Sequence, residues 1–142
     1  MARLEFPSPV LANVSIPVRI TDINYGNHVG NDAFISIMHE ARVQWLSAYG
    51  YTELNVAGAG LIMAALSIDY IAEGFYGDIF QIELATGERS EVRFELFYRI
   101  STIRNEKDVL IAIAKTTMVC FDYERAKARR IPEGLTEILT KK

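Results

Sequence analysis

The residues best suited to chemistry lie close together in one short segment. Residues 22–32 include three asparagines, two aspartates and a histidine, namely Asp22, Asn24, Asn27, His28, Asn31 and Asp32. A long helix is predicted to begin at Asn31 or Asp32, so its free backbone N–H groups would lie beside this cluster. These groups, helped by the helix dipole, can stabilise an oxyanion that develops on a bound carbonyl. The cluster therefore indicates a carbonyl-activating site.

His28 is the residue of this cluster with the clearest chemical potential. The positive end of the helix disfavours an imidazolium, so the ring is expected to stay neutral and to act as a base or a hydrogen-bond donor. Asn24 could orient a water or the carbonyl, and Asp22 could hold His28 or a water. Asparagine and aspartate also form turns and caps, the role we favour for Asp32. A turn requires no histidine, so we favour a functional role for His28 and Asn24.

Two elements are predicted to position the cluster. Apolar residues alternate with others from Val14 to Ile20, which predicts a half-buried strand. Pro17 cannot donate a ladder hydrogen bond, so one side of this strand is expected to be unpaired. The following helix has apolar residues at three- and four-residue steps: Phe34, Ile37, Met38, Ala41, Trp45 and Ala48. Gly50 is expected just after its end.

The rest of the chain predicts a sheet that one helix cannot cover. Alternating patterns indicate four more strands within residues 62–70, 80–84, 92–100 and 109–121, and a short helix follows near Pro132–Leu139. The last strand is apolar on both faces, so part of the second face is expected to meet another copy through sheet or edge pairing. Charges at Arg93, Glu95 and Arg99 keep open the alternative of a solvent-exposed mixed face.

Composition excludes several classes of protein. The chain has 142 residues, a mass of 16.0 kDa, a net charge of −3 and a pI near 5.4. This size suits one domain, and the charge disfavours nucleic acid as a partner. No apolar run is long enough to span a bilayer, and residues 1–10 do not resemble a signal peptide. Cys120 is the only cysteine, so no internal disulfide can form. We expect a small cytoplasmic domain without a cofactor, because no metal-ligand pair or nucleotide motif is present.

The sequence resembles a known family across nearly its whole length. The run VRITDINYGNHVGNDAFISIMHEARVQWLSAYGY, residues 18–51, resembles the strand-to-helix signature of hotdog-fold acyl-CoA thioesterases, which include 4-hydroxybenzoyl-CoA thioesterase. Further matches are the turn Tyr76-Gly77-Asp78 and the ending FDYERAKARRIPEGL, residues 121–135. The resemblance implies an α+β hotdog fold in one domain over residues 1–142: a five-stranded antiparallel sheet wrapped around one long central helix.

The resemblance also implies roles for individual residues. The 4-hydroxybenzoyl-CoA enzymes have a catalytic aspartate at the position that Asn24 occupies in this chain. An amide can act neither as a nucleophile nor as a general base, so the mechanism of those enzymes does not transfer. Asp22, Asn24 and His28 resemble the polar groups of plant acyl-carrier-protein thioesterases. Those enzymes use a carboxylate on the strand after the helix, and its nearest counterpart in this chain is Glu73. We expect Glu73 to reach the loop of a partner subunit. An exposed carboxylate in a turn, without a catalytic role, is an equal alternative. Gly74 stands where they have cysteine.

The remaining implied contacts concern the carbonyl and coenzyme A. The carbonyl-polarising amide of the family corresponds to the backbone near Asn31. Coenzyme A phosphates require positive charge, and the concentrated cations are Arg125, Lys127, Arg129 and Arg130. A solvated tail that offsets nearby acids is the alternative for these four residues.

Four other residues are expected to have structural roles. We interpret Glu40 and Arg42 as charges on the helix surface or at a subunit contact, and His39 as a packing or hydrogen-bonding residue. Cys120 is expected to be a buried, inert thiol.

These observations predict an acyl-CoA thioesterase that assembles as a homodimer or homotetramer. Its catalytic residues would be Asp22, Asn24, His28, Asn31 and Glu73. The alternatives are a non-catalytic acyl or CoA-ester binding protein, which Asn24 favours, and a hotdog hydratase or dehydratase that acts on the acyl chain.

Overall fold

The computed structural model describes residues 3–141. Six strands and two helices follow in chain order, with a 3-10 turn at Ile20–Asp22: β1 Ala12–Pro17, α1 Asn31–Ser47, β2 Gly60–Tyr70, β3 Ile79–Arg89, β4 Arg93–Arg104, β5 Lys107–Asp122, β6 Lys127–Ala128 and α2 Glu133–Leu139. All strand pairs are antiparallel, in the order β1-β3-β4-β5-β2, with β6 added on β5. The five predicted strands are confirmed, and the two-residue β6 was not predicted.

The first strand ends earlier than its apolar pattern predicts. β1 stops at Pro17, and the chain turns at Ile20–Asp22 because the Asp22 carboxylate accepts the backbone N–H of Arg19 at 2.8 Å. Among residues 3–141 the strand pairs on one side, with β3, as expected from Pro17.

The long helix is confirmed, but its cap is not a side chain. Gly30 is the N-cap, so Asn31 and Asp32 occupy the first two helical positions instead of the predicted cap position. A Cβ atom at Gly30 would lie 2.8 Å from Asp32 Oδ1, which explains the glycine there. Gly50 follows the helix with a φ of +78°, a conformation that glycine adopts without strain.

The main core lies between α1 and one side of the sheet. Phe34 on α1 stacks on Phe80 of β3 with ring centroids 5.9 Å apart. Strand residues that point towards the helix are buried, including Leu84, Leu96 and Ile100. The predicted apolar stripe of α1 thus packs on the sheet, and this packing places the start of the helix over one end of the sheet.

The outer side of the sheet is the mixed face that the sequence left open. Its charges pair across the strands, Arg99 with Glu83 at 3.2 Å and Lys115 with Glu95 at 3.3 Å. These pairs support the solvated alternative for the part of this face that they cover.

One sheet edge is apolar and open among residues 3–141. β2 pairs with β5 on one side only, and Ile62, Met63 and the two following alanines are exposed. Unpaired backbone groups next to exposed apolar side chains are a template for pairing with another strand.

No helix in the described part of the chain could cross a membrane.

Candidate active site

A cleft of about 220 Å³ lies at the start of α1, between that helix and the segment after β2. We call it the His28 cleft, and its main lining residues are His28, Asn31, Phe34, Tyr70 and Glu73. Three residues predicted from the sequence, His28, Asn31 and Glu73, therefore meet in one place. Glu73 reaches the cleft within its own chain, without the subunit crossing that the sequence suggested.

Backbone hydrogen bonds hold the histidine loop against the segment after β2. Val29 N–H donates to the Gly74 carbonyl at 2.8 Å, and Gly30 N–H donates to the Asp22 carbonyl at 3.0 Å. Asn24 N–H donates to the His28 carbonyl at 2.9 Å, and Asn27 takes a left-handed φ of 64° at the tip. The loop is thus fixed at both ends, which gives His28 a defined position.

The geometry selects one tautomer of His28. Nδ1 lies 3.2 Å from the Val29 carbonyl oxygen, which can only accept, so Nδ1 carries the proton of the neutral ring. Nε2 is then left with a lone pair. Of the two predicted roles, neutral His28 can therefore act as an acceptor or base through Nε2, and it has no N–H to donate there.

Asn24 is oriented as a donor. Its Oδ1 accepts the Gly26 N–H at 2.9 Å, so the side-chain NH₂ is free to donate to another group. Gly26 also leaves space for the histidine, since a Cβ there would lie 3.0 Å from His28 Nε2 and 3.3 Å from Asn24 Oδ1. An amide at position 24 thus supplies hydrogen-bond donors where a carboxylate would supply only acceptors.

Asp22 contacts Arg19. Asp22 is buried, with 5% of the residue exposed. Its carboxylate accepts hydrogen bonds from the Arg19 backbone N–H and, at 3.2 Å, from the Arg19 guanidinium. With Asn24 and Asp32 it lines a different cleft from that of His28. The carbonyl of Val29, and not the Asp22 side chain, is the hydrogen-bond partner recorded for the His28 ring.

The start of α1 carries no side-chain cap. The N–H groups of Ala33 and Phe34 donate to the Gly30 carbonyl at 3.0 and 3.4 Å, so Asn31 and Asp32 provide the first-turn N–H groups that can serve a ligand. The helix dipole adds a positive potential there. Asn31, which contributes the first of these groups, also lines the His28 cleft. The predicted oxyanion-binding residue thus lies at the edge of the cleft.

The turn after Glu73 is braced by an ion pair. The Arg104 guanidinium bonds to the Asp78 carboxylate, donates to the Glu73 carbonyl at 2.6 Å and lies over the Phe75 ring. Burial acts to raise the pKa of Asp78, but the bonds from Arg104 and the Phe75 N–H outweigh it and hold the pKa below its usual range. Ionised Asp78 therefore fixes the turn that carries Glu73, whose own side chain is exposed.

Gly74 excludes any side chain at its position. A Cβ atom there would lie 2.5 Å from Phe80 Cζ and 3.0 Å from a Val29 methyl group. The missing cysteine nucleophile is therefore a consequence of close packing between the histidine loop and the core.

Two aromatic residues form the apolar wall of the His28 cleft. Phe34 and Tyr70 make an edge-to-face pair with centroids 5.3 Å apart. Sequence reasoning missed Tyr70 as a functional candidate. Its signal is its position at the end of β2, on the alternation face shared with Ile68 and three residues before Glu73.

The predicted phosphate-binding cations lie at the other end of the sheet. Residues 124–130, here called the basic segment, follow β5 next to the start of β2, whereas the His28 cleft lies by the end of β2. Arg129 donates to the Gly58 carbonyl at 3.2 Å, and Arg125 Nε lies 3.8 Å from Asp122. Lys127 and Arg130 are exposed.

Arg42 is not the surface charge that the sequence predicts. Its side chain is 7% exposed, with Nε 3.1 Å from Glu53 and a terminal nitrogen 3.2 Å from the Tyr98 hydroxyl, which lies 2.7 Å from Thr116 Oγ1. Buried cations need such partners, and the network around Arg42 draws them from three other parts of the chain. His39 Nε2 lies 2.7 Å from Glu53, which confirms its hydrogen-bonding role.

Cys120 matches its prediction as an inert thiol. It is fully buried in β5, and burial raises its pKa to about 11 despite the nearby Arg129. The thiolate needed for nucleophilic attack is therefore disfavoured.

Comparison with known proteins identifies the same group of proteins as the motif. Residues 18–139 match the family model of the Thioesterase-like superfamily. The chain is 29% identical over 119 residues to a 1,4-dihydroxy-2-naphthoyl-CoA hydrolase from Synechocystis, covering 82% of this chain and 85% of that protein.

Solved structures share the fold. The crystal structure of a 1,4-dihydroxy-2-naphthoyl-CoA thioesterase from Synechocystis aligns with a TM-score of 0.78 and 25% identity, covering 89% of this chain and 93% of the other. A putative thioesterase from Pseudomonas aeruginosa aligns with a TM-score of 0.82 and 20% identity, covering 93% and 100%. The predicted family, hotdog fold and thioester hydrolase class are confirmed.

Proposed function

The chain belongs to the Thioesterase-like superfamily, and from this premise we propose that the His28 cleft is where it hydrolyses acyl-CoA thioesters to a free acid and coenzyme A. One observation carries the assignment: the uncapped start of α1 opens beside a histidine lone pair and a carboxylate in the same cleft. A thioester has a good leaving group, so positioning and oxyanion stabilisation can supply most of the catalysis.

In the proposed mechanism the thioester carbonyl docks at the first turn of α1. A water between Glu73 and His28 Nε2 attacks the carbonyl carbon and forms the new C–O bond. The N–H of Asn31 stabilises the oxyanion. Asn24 lines the neighbouring cleft and acts through the loop, because its Oδ1 accepts the Gly26 N–H and so holds the segment that carries His28. Collapse of the intermediate breaks the C–S bond, and the proton taken from the water passes to the departing thiolate.

Glu73 is the proposed base, and His28 is the proposed water-positioning residue. The positive end of the α1 dipole lies beside His28 and opposes the positive charge that the ring would gain by accepting a proton. Proton uptake by Glu73 gives a neutral acid, so it places no cation beside the helix start. Asp22 supports both through the backbone, because its carbonyl accepts the Gly30 N–H and its carboxylate fixes Arg19 at the start of the loop.

The proposed acyl group is aromatic. Phe34 and Tyr70 offer an apolar wall with an exposed ring edge, a surface that suits a planar ring. The Synechocystis relative is named for a naphthoyl-CoA substrate, which agrees with such a wall.

A dimer through β2 accounts for both the open edge and the distant basic segment. Antiparallel pairing of two β2 strands about a centre near Ala65 would cover the exposed apolar residues and align the start of one β2 with the end of the other. The basic segment of the second copy would then lie near the His28 cleft of the first. We therefore propose that coenzyme A phosphates are held across the dimer by Arg125, Lys127, Arg129 and Arg130. Two such dimers could form a tetramer.

We place the enzyme in the cytoplasm, where its coenzyme A substrates are available.

Release of the coenzyme A thiol from a panel of acyl-CoA esters tests the proposed function. Steady hydrolysis by the native protein that falls at least about 10²-fold in Glu73→Gln, with coenzyme A binding retained, is the expected result. Binding without turnover would favour a non-catalytic carrier, and hydration of an enoyl-CoA without hydrolysis would favour a hydratase. The dimer is tested separately by sedimentation of Ala65→Arg, which should dissociate if β2 is the interface.

A further inference from the structure

The first described residues of the chain run from one edge of the sheet to the other. We call residues 3–11 the N-terminal strap, and hydrogen bonds hold it near both ends. Leu11 N–H donates to the Leu84 carbonyl at 2.7 Å, which continues the pairing of β1 with β3. Leu4 N–H donates to the Asp69 carboxylate of β2 at 2.6 Å. Since β1 and β2 stand at opposite ends of the strand order, the strap must cross the strands between them.

The reach of the strap determines its path. An extended chain spans about 3.4 Å per residue, so the strap covers roughly 24 Å between Leu4 and Leu11. Neighbouring strands lie about 4.8 Å apart, so the direct line from β1 to β2 is roughly 19 Å. A detour round an end of the sheet would add about 30 Å, because Leu84 is five residues from each end of β3. Since α1 packs on the other side of the sheet, the strap lies across the outer face.

Burial on the outer face follows the line of the strap. The strand register places four outer-face residues in one row beneath this line, namely Glu83, Arg99, Ile113 and Asp69. Ile113, in the middle of the row, is only 9% exposed. Ile79 and Ile103 lie on the same face, four residues away from the row along β3 and β4, and are 53% and 68% exposed. The strap therefore covers the middle of the outer face.

This cover takes the place that the sequence assigned to a second copy. The apolar outer residues of β5 predicted contact with another subunit, and the half-buried strap residues Leu4, Phe6 and Pro7 supply an apolar cover within the same chain. The charges next to Ile113 do not oppose a second copy, because Arg99 and Glu83 pair with each other. Without the strap, this face would present apolar and charge-paired residues, which a second sheet can cover.

We propose that the N-terminal strap blocks sheet-to-sheet contact between two copies of the chain and so leaves the β2 edge as the surface for self-association. A segment with few buried contacts opens more readily than the strands beneath it, so the face can be uncovered while the sheet stays folded. This inference goes beyond the proposed function, because it concerns assembly and not hydrolysis.

The test uses full-length Ala65→Arg as the background, because that substitution is expected to remove pairing through β2. Asp69→Ala deletes the acceptor of the Leu4 N–H, and Phe6→Asp places a charge at a half-buried strap position. In each variant, amide exchange at Leu4 should rise at least about tenfold. Sedimentation should show dimers at a concentration at least about tenfold below that of the background. Ile113→Asp, added to Asp69→Ala, should remove the new dimer by placing a charge on the uncovered face.

Ser67→Ala is the matched control, because it changes a residue on the same face of β2 and keeps the bond between Asp69 and the strap. It should leave exchange at Leu4 and the sedimentation of the background unchanged. Exchange within β3 and β5 should stay slow in every variant, which shows that the sheet remains folded.

Two results would overturn the inference. One is a monomeric state of both strap variants at every concentration despite faster exchange at Leu4, because the uncovered face would then attract no second copy. The other is unchanged exchange at Leu4 in both variants. If Ala65→Arg itself stays dimeric, the proposed β2 dimer is rejected, and the strap variants must then double that dimer.

Discussion

The network around Arg42 and the first turn of α1 differ in how completely their polar groups are paired. Around Arg42 every recorded charge and hydroxyl has a partner, and the network joins the helix to β4, β5 and the segment that contains Glu53. At Asn31 the helix start has no side-chain cap, and Tyr70 makes only a long contact there. The first arrangement holds the helix in place, and the second leaves hydrogen-bonding capacity for a substrate.

The largest effect is expected beside the first turn of α1. His28→Ala should lower kcat/KM by about 10²-fold, because it removes the group that positions the water. Asn24→Ala should also lower kcat/KM, because it removes the acceptor that holds the loop carrying His28. The free energy of unfolding should change little, since both side chains lie in a surface loop. Thiol release and urea denaturation measure the two quantities.

His39→Ala is the matched control for this prediction, because the chain has two histidines and His39 contacts Glu53 away from the cleft. Its turnover should match the native value. Near-normal turnover in both folded loop variants would remove the cleft from the mechanism.

The network around Arg42 should respond in stability instead. Arg42→Met is expected to lower the free energy of unfolding by about 2 kcal/mol, since it leaves Glu53 and Tyr98 without their buried partner. This loss is smaller than that of a fully buried ion pair, because the Glu53 side chain is partly exposed. Arg99→Met breaks the half-exposed outer pair with Glu83 and should cost at most about 1 kcal/mol. Equal losses in the two variants, measured by urea denaturation, would contradict the special role of the network around Arg42.

A smaller effect should follow from crowding His28. In Gly26→Ala the new methyl group would lie 3.0 Å from Nε2, so the ring must move. We expect kcat/KM to fall about tenfold, in line with a misplaced catalytic group.

The smallest effect concerns the turn that carries Glu73. The folded state lowers the pKa of Asp78, so the carboxylate stabilises the fold above its unfolded pKa of about 3.9 and loses this contribution as the pH falls below that value. Asp78→Asn should therefore be less stable than the native protein by about 1 kcal/mol at pH 7. The difference should shrink towards pH 2. Urea denaturation at both pH values measures it, and a difference independent of pH would argue against ionic bracing by Arg104.

The fold was predictable because its main elements carry periodic patterns. The stripe from Phe34 to Trp45 and the strand alternations each repeat often enough to define an element, and the motif around His28 identified the family. The two-residue β6 has no period, so it could not be found. Gly30 was missed as the cap because a glycine cap depends on the space left by Asp32, which sequence order does not give.

The site was only partly predictable for the same reason. The tautomer of His28 depends on the carbonyl of Val29, and the placement of Glu73 depends on the bond between Val29 and Gly74. Arg42 and Tyr98 are 56 residues apart, so no local pattern could show that this charge is buried. Residue types predicted which groups could do chemistry, but long-range contacts decide which of them meet.

The burial of Cys120 matters for an enzyme proposed to release a thiol on every turnover. Oxidised coenzyme A can form mixed disulfides with protein thiols when a thiolate is accessible to exchange. This chain has one cysteine, and it lies inside the sheet with a pKa of about 11. The folded enzyme is therefore protected from covalent capture by the oxidised form of its own product.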